Sequence, residues 1–183
     1  MADEKRLVAS PSQTIGPFLH VGFESQVELK TLGSAATIKS APLHLRIQVL
    51  DGVGAPIDDA LVEIWQTAPG ESDAPSAAVR NWGRCPTDTY GWCAFDTFTP
   101  ASGVAEDGCR IAAHINICVF ARGLLRHVFT RCYFAGDAAL AGDPVLGLVP
   151  PTRRDTLVAR SDGAGWTFQI RMQGADETVF FDL

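Results

Sequence analysis

The sequence has little with which to build a disulfide framework or a clustered metal site. Its five cysteines, at 85, 93, 109, 118 and 132, include no C-x-x-C pair. An odd, scattered set argues against a zinc ribbon and against the even-numbered framework of a small secreted domain. The compartment expected is the cytoplasm, with thiols reduced. Tyrosine is rarer still, with only Tyr90 and Tyr133, and the four histidines are His20, His44, His114 and His127. No G-x-S-x-G, H-E-x-x-H, phosphate-binding loop or dinucleotide fingerprint occurs, which removes the best-marked hydrolase and nucleotide classes. Positive charge is short as well. Fifteen Lys and Arg against 21 Asp and Glu give a net charge of −6, the wrong sign for a nucleic-acid partner. No stretch reaches the ~18 apolar residues of a membrane span. The opening Met1 to Arg6 has no apolar run behind its charges and does not read as a signal peptide.

What the chain does have is alternation. Its 183 residues suit one domain able to bury a core, and 46% apolar against 20% charged residues is a globular balance. From His44 to Val49, Leu45, Ile47 and Val49 take one face and His44, Arg46 and Gln48 the other, the period-two mark of a half-buried strand. Further strands are expected over about 60–66, 92–98, 115–120, 126–134, 166–172 and 178–181, separated by Gly and Pro turns. Short strands of this kind predict an all-β sandwich, mostly antiparallel, with long irregular loops and an extended N-terminal arm. Helix is expected only at 25–32, where Ser25 and Glu28 have capping-box spacing and Gly33 is a stop, and at 137–141. The irregular stretches are 7–40 and 67–90, and long loops on a rigid scaffold are where sites form.

Candidates for chemistry are few. Cys93, Cys118 and Cys132 sit in apolar runs, where a thiol is buried and inert. A lone His114 on a strand is more often a hydrogen-bonded core residue than a ligand. Two segments are more specified than packing requires. Pro11-Ser12-Gln13-Thr14-Ile15-Gly16-Pro17-Phe18 is built to hold a fixed extended shape, since proline fixes φ and Gly16-Pro17 pins a turn. The second begins at Ala113-His114-Ile115-Asn116-Ile117 and runs to Thr130-Arg131-Cys132-Tyr133-Phe134, with Arg131 inside a strand pattern on the face of His127, Phe129 and Tyr133. A charge there is either solvated or paired across an interface.

These elements carry a resemblance. Pro11-Ser12-Gln13-Thr14-x-Gly16-Pro17, Val62-Glu63-Ile64-Trp65-Gln66, Trp82-Gly83-Arg84, His114-Ile115-Asn116-Ile117-x-x-Phe120-Ala121-Arg122-Gly123, Thr130-Arg131-x-Tyr133-Phe134 and Gly174 to Asp182 occur in one order across nearly the whole chain. In that order the chain resembles the alpha-subunit family of protocatechuate 3,4-dioxygenase, among the intradiol ring-cleavage dioxygenases. The resemblance implies a β-sandwich in each of two homologous subunits, alpha and beta, joined in protomers that build larger symmetric particles. It implies cleavage of protocatechuate by O₂ between its two hydroxyls to 3-carboxy-cis,cis-muconate. It also implies a non-haem Fe(III) held by two Tyr and two His of the beta subunit.

On that pattern this chain is short of ligands. His114 stands at a vestigial ligand position and Asn116 replaces the second histidine, a poor exchange because a neutral amide oxygen donates less charge to Fe(III). Tyr90, before a strand, is the only Tyr in the interval where two are needed, and Arg110 lies one residue from the place of a catalytic Arg. The expectation is therefore that the chain holds no metal and has no catalytic residue of its own. It completes the pocket of an obligate beta partner, with residues 1–40 as an arm for partner and substrate contacts and residues 41–183 as the core. The resemblance assigns substrate contact to Thr14, Gly16, Pro17, Phe18 and Arg131. A guanidinium suits the carboxylate of protocatechuate, and a Gly-Pro turn admits a flat ring closely. Two alternatives stay open: a self-sufficient catechol-type intradiol dioxygenase, and a non-enzymatic β-sandwich binding module.

Overall fold

The alternation of the sequence becomes burial in the fold. A computed structural model describes residues 40–67, 81–105 and 108–182. Strand β1 (Pro42–Leu50) turns Leu45, Ile47 and Val49 fully inward and leaves His44 and Arg46 exposed. It is followed by β2 (Leu61–Trp65), β3 (Trp82–Pro86), β4 (Trp92–Phe98), and a small ladder of β5 (Gly103–Val104) with β6 (Arg110–Ile111). Then come β7 (His114–Phe120) and β8 (Val128–Phe134), a 3-10 turn (Ala138–Gly142), helix α1 (Pro144–Leu148), a second 3-10 turn (Pro151–Leu157), β9 (Val158–Ser161) and β10 (Trp166–Arg171).

The main sheet runs β3-β2-β7-β8-β9-β10-β1-β4, and only the β1–β10 and β8–β9 pairings are parallel. It turns over at β9. Val158 and Ala159 pair with Tyr133 and Phe134 of β8, while Arg160 and Ser161 pair with Thr167 and Trp166 of β10. The two halves thus face each other. Between them lie Leu45, Ile47, Val62, Ile64, Ile115, Ile117, Phe95, Phe168 and Ile170. This is the all-β sandwich that period-two alternation predicts.

Departures from the sequence reading have local causes. The stretch 67–90 contains β3, whose inward residues are Gly83 and Cys85, too small to look like a core stripe. Residues 178–181 form no ladder strand. Their backbone makes one bridge, Phe181 to Phe129, and one further backbone bond, Thr178 N to the Arg171 carbonyl at 2.9 Å, and side chains hold the rest, Thr130 donating to the Val179 carbonyl at 2.8 Å and Val179 N donating to the Thr156 hydroxyl at 3.3 Å. The 137–141 segment is a 3-10 turn rather than an α-helix, with Asp137 accepting from Ala139 N at 2.8 Å. The candidate helix at 25–32 and the arm residues Thr14, Gly16, Pro17 and Phe18 lie outside the described residues.

A second, smaller apolar cluster sits on the outer face of the β7–β8 half. Helix α1 and the following 3-10 turn bring Leu146, Val149 and Leu157 against Ala112 and Tyr133. That cover leaves a hollow beside it.

Candidate functional site

The site is built on register. On β7 the inward residues Ile115, Ile117 and Val119 belong to the main core, so His114 and Asn116 are on the outer face. On β8 the inward residues Cys132 and Phe134 put Arg131 and Tyr133 outside. The antiparallel pairing sets His114 opposite Tyr133 and Asn116 opposite Arg131, and β2 sets Trp65 opposite Asn116. Trp65, Asn116 and Arg131 therefore form one row across three strands. With Phe129, Val145 of α1 and Phe181 of the C-terminal segment they line a cavity of about 170 Å³. The walls are largely aromatic and aliphatic, with Thr130 also among them, and the charged residues are the half-buried Arg131 and the exposed Asp182.

Behind this row lies a buried polar hub. Asp143 caps α1, receiving Val145 N at 3.0 Å and Leu146 N at 2.8 Å on one carboxylate oxygen. The same oxygen accepts the Tyr133 hydroxyl at 3.0 Å, and the other accepts Ala112 N at 2.9 Å. Burial pushes the Tyr133 phenol up to about 12, although the nearby Arg131 guanidinium pulls the other way. His114 faces Tyr133 with ring centroids 5.7 Å apart, and its Nδ1 donates to the Ala112 carbonyl at 2.9 Å. Its pKa is held below the usual value first by desolvation. The Arg131 charge adds to that lowering, while the Ala112 bond and Asp143 oppose it.

That shift has a consequence for stability. The unfolded imidazole takes a proton near 6.5 and the folded one only at lower pH. The unfolded state thus binds more protons in between, and His114 contributes stability at pH above 6.5 that is lost as pH falls towards the folded pKa. His114→Gln is expected to flatten the decline of the urea midpoint on acidification across about pH 8 to 5, the range in which histidine titrates. An unchanged slope would show that His114 is not the group responsible.

The donor set does not suit Fe(III). Among the described residues no group of three or more His, Cys, Asp and Glu is disposed to hold a metal. His114 has one nitrogen committed to a backbone carbonyl, its neighbour on the outer face of β7 is the amide of Asn116, and the near phenol, Tyr133, is hydrogen-bonded to Asp143 and resists ionisation. Tyr90 is 71% exposed on the turn between β3 and β4, where Asp88 accepts from Tyr90 N and Trp92 N. Register places that turn beyond Phe120, six residues along β7 from His114, or roughly 20 Å. Arg110 is exposed on β6, and its partner strand is β5, not β7.

Of the residues singled out from the sequence, the structure brings Arg131, His114 and Asn116 together and keeps Tyr90 and Arg110 apart from them. Sequence reasoning missed Trp65 and Asp143. Asp143-Pro144 carries the N-cap and first-turn proline signal of a helix, which was there to be read. Cys93, Cys118 and Cys132 are buried as expected, and burial, with Glu63 adding, raises the Cys118 thiol to about 12.

Comparison with known proteins agrees with this geometry. A family model described as Dioxygenase matches residues 16–174. The protocatechuate 3,4-dioxygenase alpha chains of Burkholderia cepacia and Pseudomonas putida are each 38% identical, with 97% of this chain and 98% of theirs covered. The beta chain of Burkholderia cepacia is 33% identical over 75% of this chain and 68% of its own. Among solved structures, catechol 1,2-dioxygenases from Pseudomonas arvilla C-1 and Acinetobacter sp. ADP1 share the fold, with TM-scores of 0.65 and 0.61 at 20% identity. They cover 93% and 79% of this chain, which spans 62% and 56% of their lengths. With that model matched across most of its residues and two relatives aligned almost end to end, the chain belongs to the dioxygenase family.

Proposed function

We propose that the chain is the alpha, non-iron-liganding subunit of a protocatechuate 3,4-dioxygenase, cleaving protocatechuate with O₂ between its two hydroxyls when assembled with a beta subunit. The observation that carries the reading is the row on the outer face: Asn116 stands where a second imidazole would be needed, and Arg131 is beside it in an apolar cavity. A face of that kind can hold and orient an aromatic carboxylate but cannot bind Fe(III). The iron, which activates the catecholate towards O₂ when bound, then belongs to the beta partner. The contribution of this chain is binding and orientation. Arg131 offers a fork of donors to the substrate carboxylate. Thr14, Gly16, Pro17 and Phe18, outside the described residues, are the further substrate contacts of this reading. Protomers of this kind assemble into larger symmetric particles. A cytoplasmic site of action fits the cysteine pattern, and no helix among the described residues is long and apolar enough to cross a membrane.

The test is Arg131→Ala in the enzyme assembled from this chain and its beta partner. Loss of a charge-assisted pair is expected to raise KM for protocatechuate about 10- to 100-fold, with a smaller effect on kcat. Oxygen uptake measures it. Unchanged KM and kcat would remove Arg131 from the pocket.

A further inference from the structure

We infer that Asp182 is a specificity-determining residue: its carboxylate, in the cavity with Arg131, favours ligands with one carboxylate and turns away the polycarboxylate product of ring cleavage. The inference rests on the reading of Arg131 as the partner of the substrate carboxylate, and it goes beyond that reading by naming what the same site rejects.

The cavity holds one charge of each sign. Among the described residues lining it, Arg131 is the one cation and Asp182 the one anion, and the walls of Trp65, Phe129, Val145 and Phe181 carry no charge. The two do not neutralise each other by contact. The ion pairs among the described residues are His44–Asp96, Arg84–Glu63, Arg122–Asp59 and Arg160–Asp155, and neither Arg131 nor Asp182 is in any of them. The guanidinium is therefore left for a ligand, with a carboxylate standing by. The backbone before Asp182 is anchored on β8. Phe181 N donates to the Phe129 carbonyl at 2.8 Å, and the Val179 carbonyl accepts the buried Thr130 hydroxyl at 2.8 Å. The strand that carries Arg131 thus also holds the segment that carries Asp182.

Protocatechuate brings one carboxylate to this site. Opening its ring between the two hydroxyl-bearing carbons makes each of them a carboxyl carbon, so 3-carboxy-cis,cis-muconate brings three. One carboxylate is taken by the guanidinium fork, and that pair is neutral. Each further carboxylate finds no second cation in the lining and meets Asp182, a like charge. Asp182 is exposed, so water and salt screen it, and the effect is a few-fold per excess charge rather than a block. A site of this kind holds the substrate and loosens its grip once the ring is open.

The experiment uses the assembled enzyme and three competitive inhibitors with one, two and three carboxylates: 4-hydroxybenzoate, 4-hydroxyisophthalate and 3-carboxy-cis,cis-muconate. Asp182→Asn is expected to lower their inhibition constants by factors that climb with carboxylate number, less than about 1.5-fold, about 2- to 3-fold and about 5-fold. Progress curves with protocatechuate then bend sooner as product accumulates. At about 0.5 M salt, where the Debye length is about 4 Å, most of that grading is expected to vanish. Asp182→Glu keeps the charge and is expected to keep the wild-type constants. An equal shift for all three inhibitors, no shift, or the same grading in Asp182→Glu would overturn the inference. Arg131→Ala, run alongside, separates the two readings. If it weakens 4-hydroxybenzoate while Asp182→Asn shows no grading, the role of Asp182 is wrong and the reading of Arg131 stands. If it leaves 4-hydroxybenzoate unchanged, the reading itself fails and the inference with it.

Discussion

Purified without a partner, this chain is expected to carry no iron above background and to consume no oxygen with protocatechuate. Co-expressed with a beta subunit, it is expected to yield a preparation in which iron, colour from tyrosinate-to-iron charge transfer, and oxygen uptake appear together. The difference is all or none because ligand chemistry, not affinity alone, separates the two states. Fe(III) favours anionic oxygen and imidazole donors. On the β7–β8 face this chain offers one imidazole whose Nδ1 is spent on the Ala112 carbonyl, one neutral amide, and a phenol pushed up to about 12 and bonded to a carboxylate. Ionising Tyr133 would also set a phenolate against the Asp143 carboxylate, two anions within 3.0 Å, in a buried site. The other tyrosine, Tyr90, is at the opposite end of the sheet. Iron analysis and oxygen electrode traces on the two preparations measure the outcome. Stoichiometric iron with turnover in the lone chain would move the ligands onto it, and His114 and Tyr90 would be the first residues to replace.

How much of this could be read in advance depended on how local the signal was. The strands β1 and β10 were legible because alternation is a property of neighbouring residues, and the structure buries the expected face of each, while β4 and β7 form where short strands between turns were expected. The ligand deficit was legible because it is a matter of residue identity: Asn116 is not histidine wherever the fold puts it. Arg131 could be placed on an outer strand face but not beside Asn116, since that contact depends on the pairing of β7 with β8. Strand β3 was missed because Gly83 and Cys85 face the core without looking apolar enough to mark it. The hub at Asp143 is the least local feature. Its partners Tyr133 and Ala112 stand 10 and 31 residues away, and a sequence window shows only a helix cap.

That hub also predicts the largest stability effect. Asp143→Ala is expected to destabilise the chain by about 3–5 kcal/mol, the range for stripping a buried acceptor from several buried donors. The substitution orphans four donors. Val145 N and Leu146 N lose the cap of α1, a change that alone costs about 0.5–2 kcal/mol. The Tyr133 hydroxyl and Ala112 N lose their acceptor at sites with no solvent exposure, each a desolvated donor costing about 1–3 kcal/mol unless water enters. Asp143→Asn separates the parts. Its amide oxygen can still receive Tyr133, Val145 and Leu146, but its NH₂ then faces the Ala112 N–H, donor against donor. The asparagine variant is therefore expected to fall between wild type and alanine, nearer to wild type. Urea unfolding followed by tryptophan fluorescence gives the order. Equal losses for Asn and Ala would mean that the Ala112 contact dominates. A loss below about 1 kcal/mol for Ala would mean that water replaces the carboxylate and that the hub is not what joins α1 to the β7–β8 face.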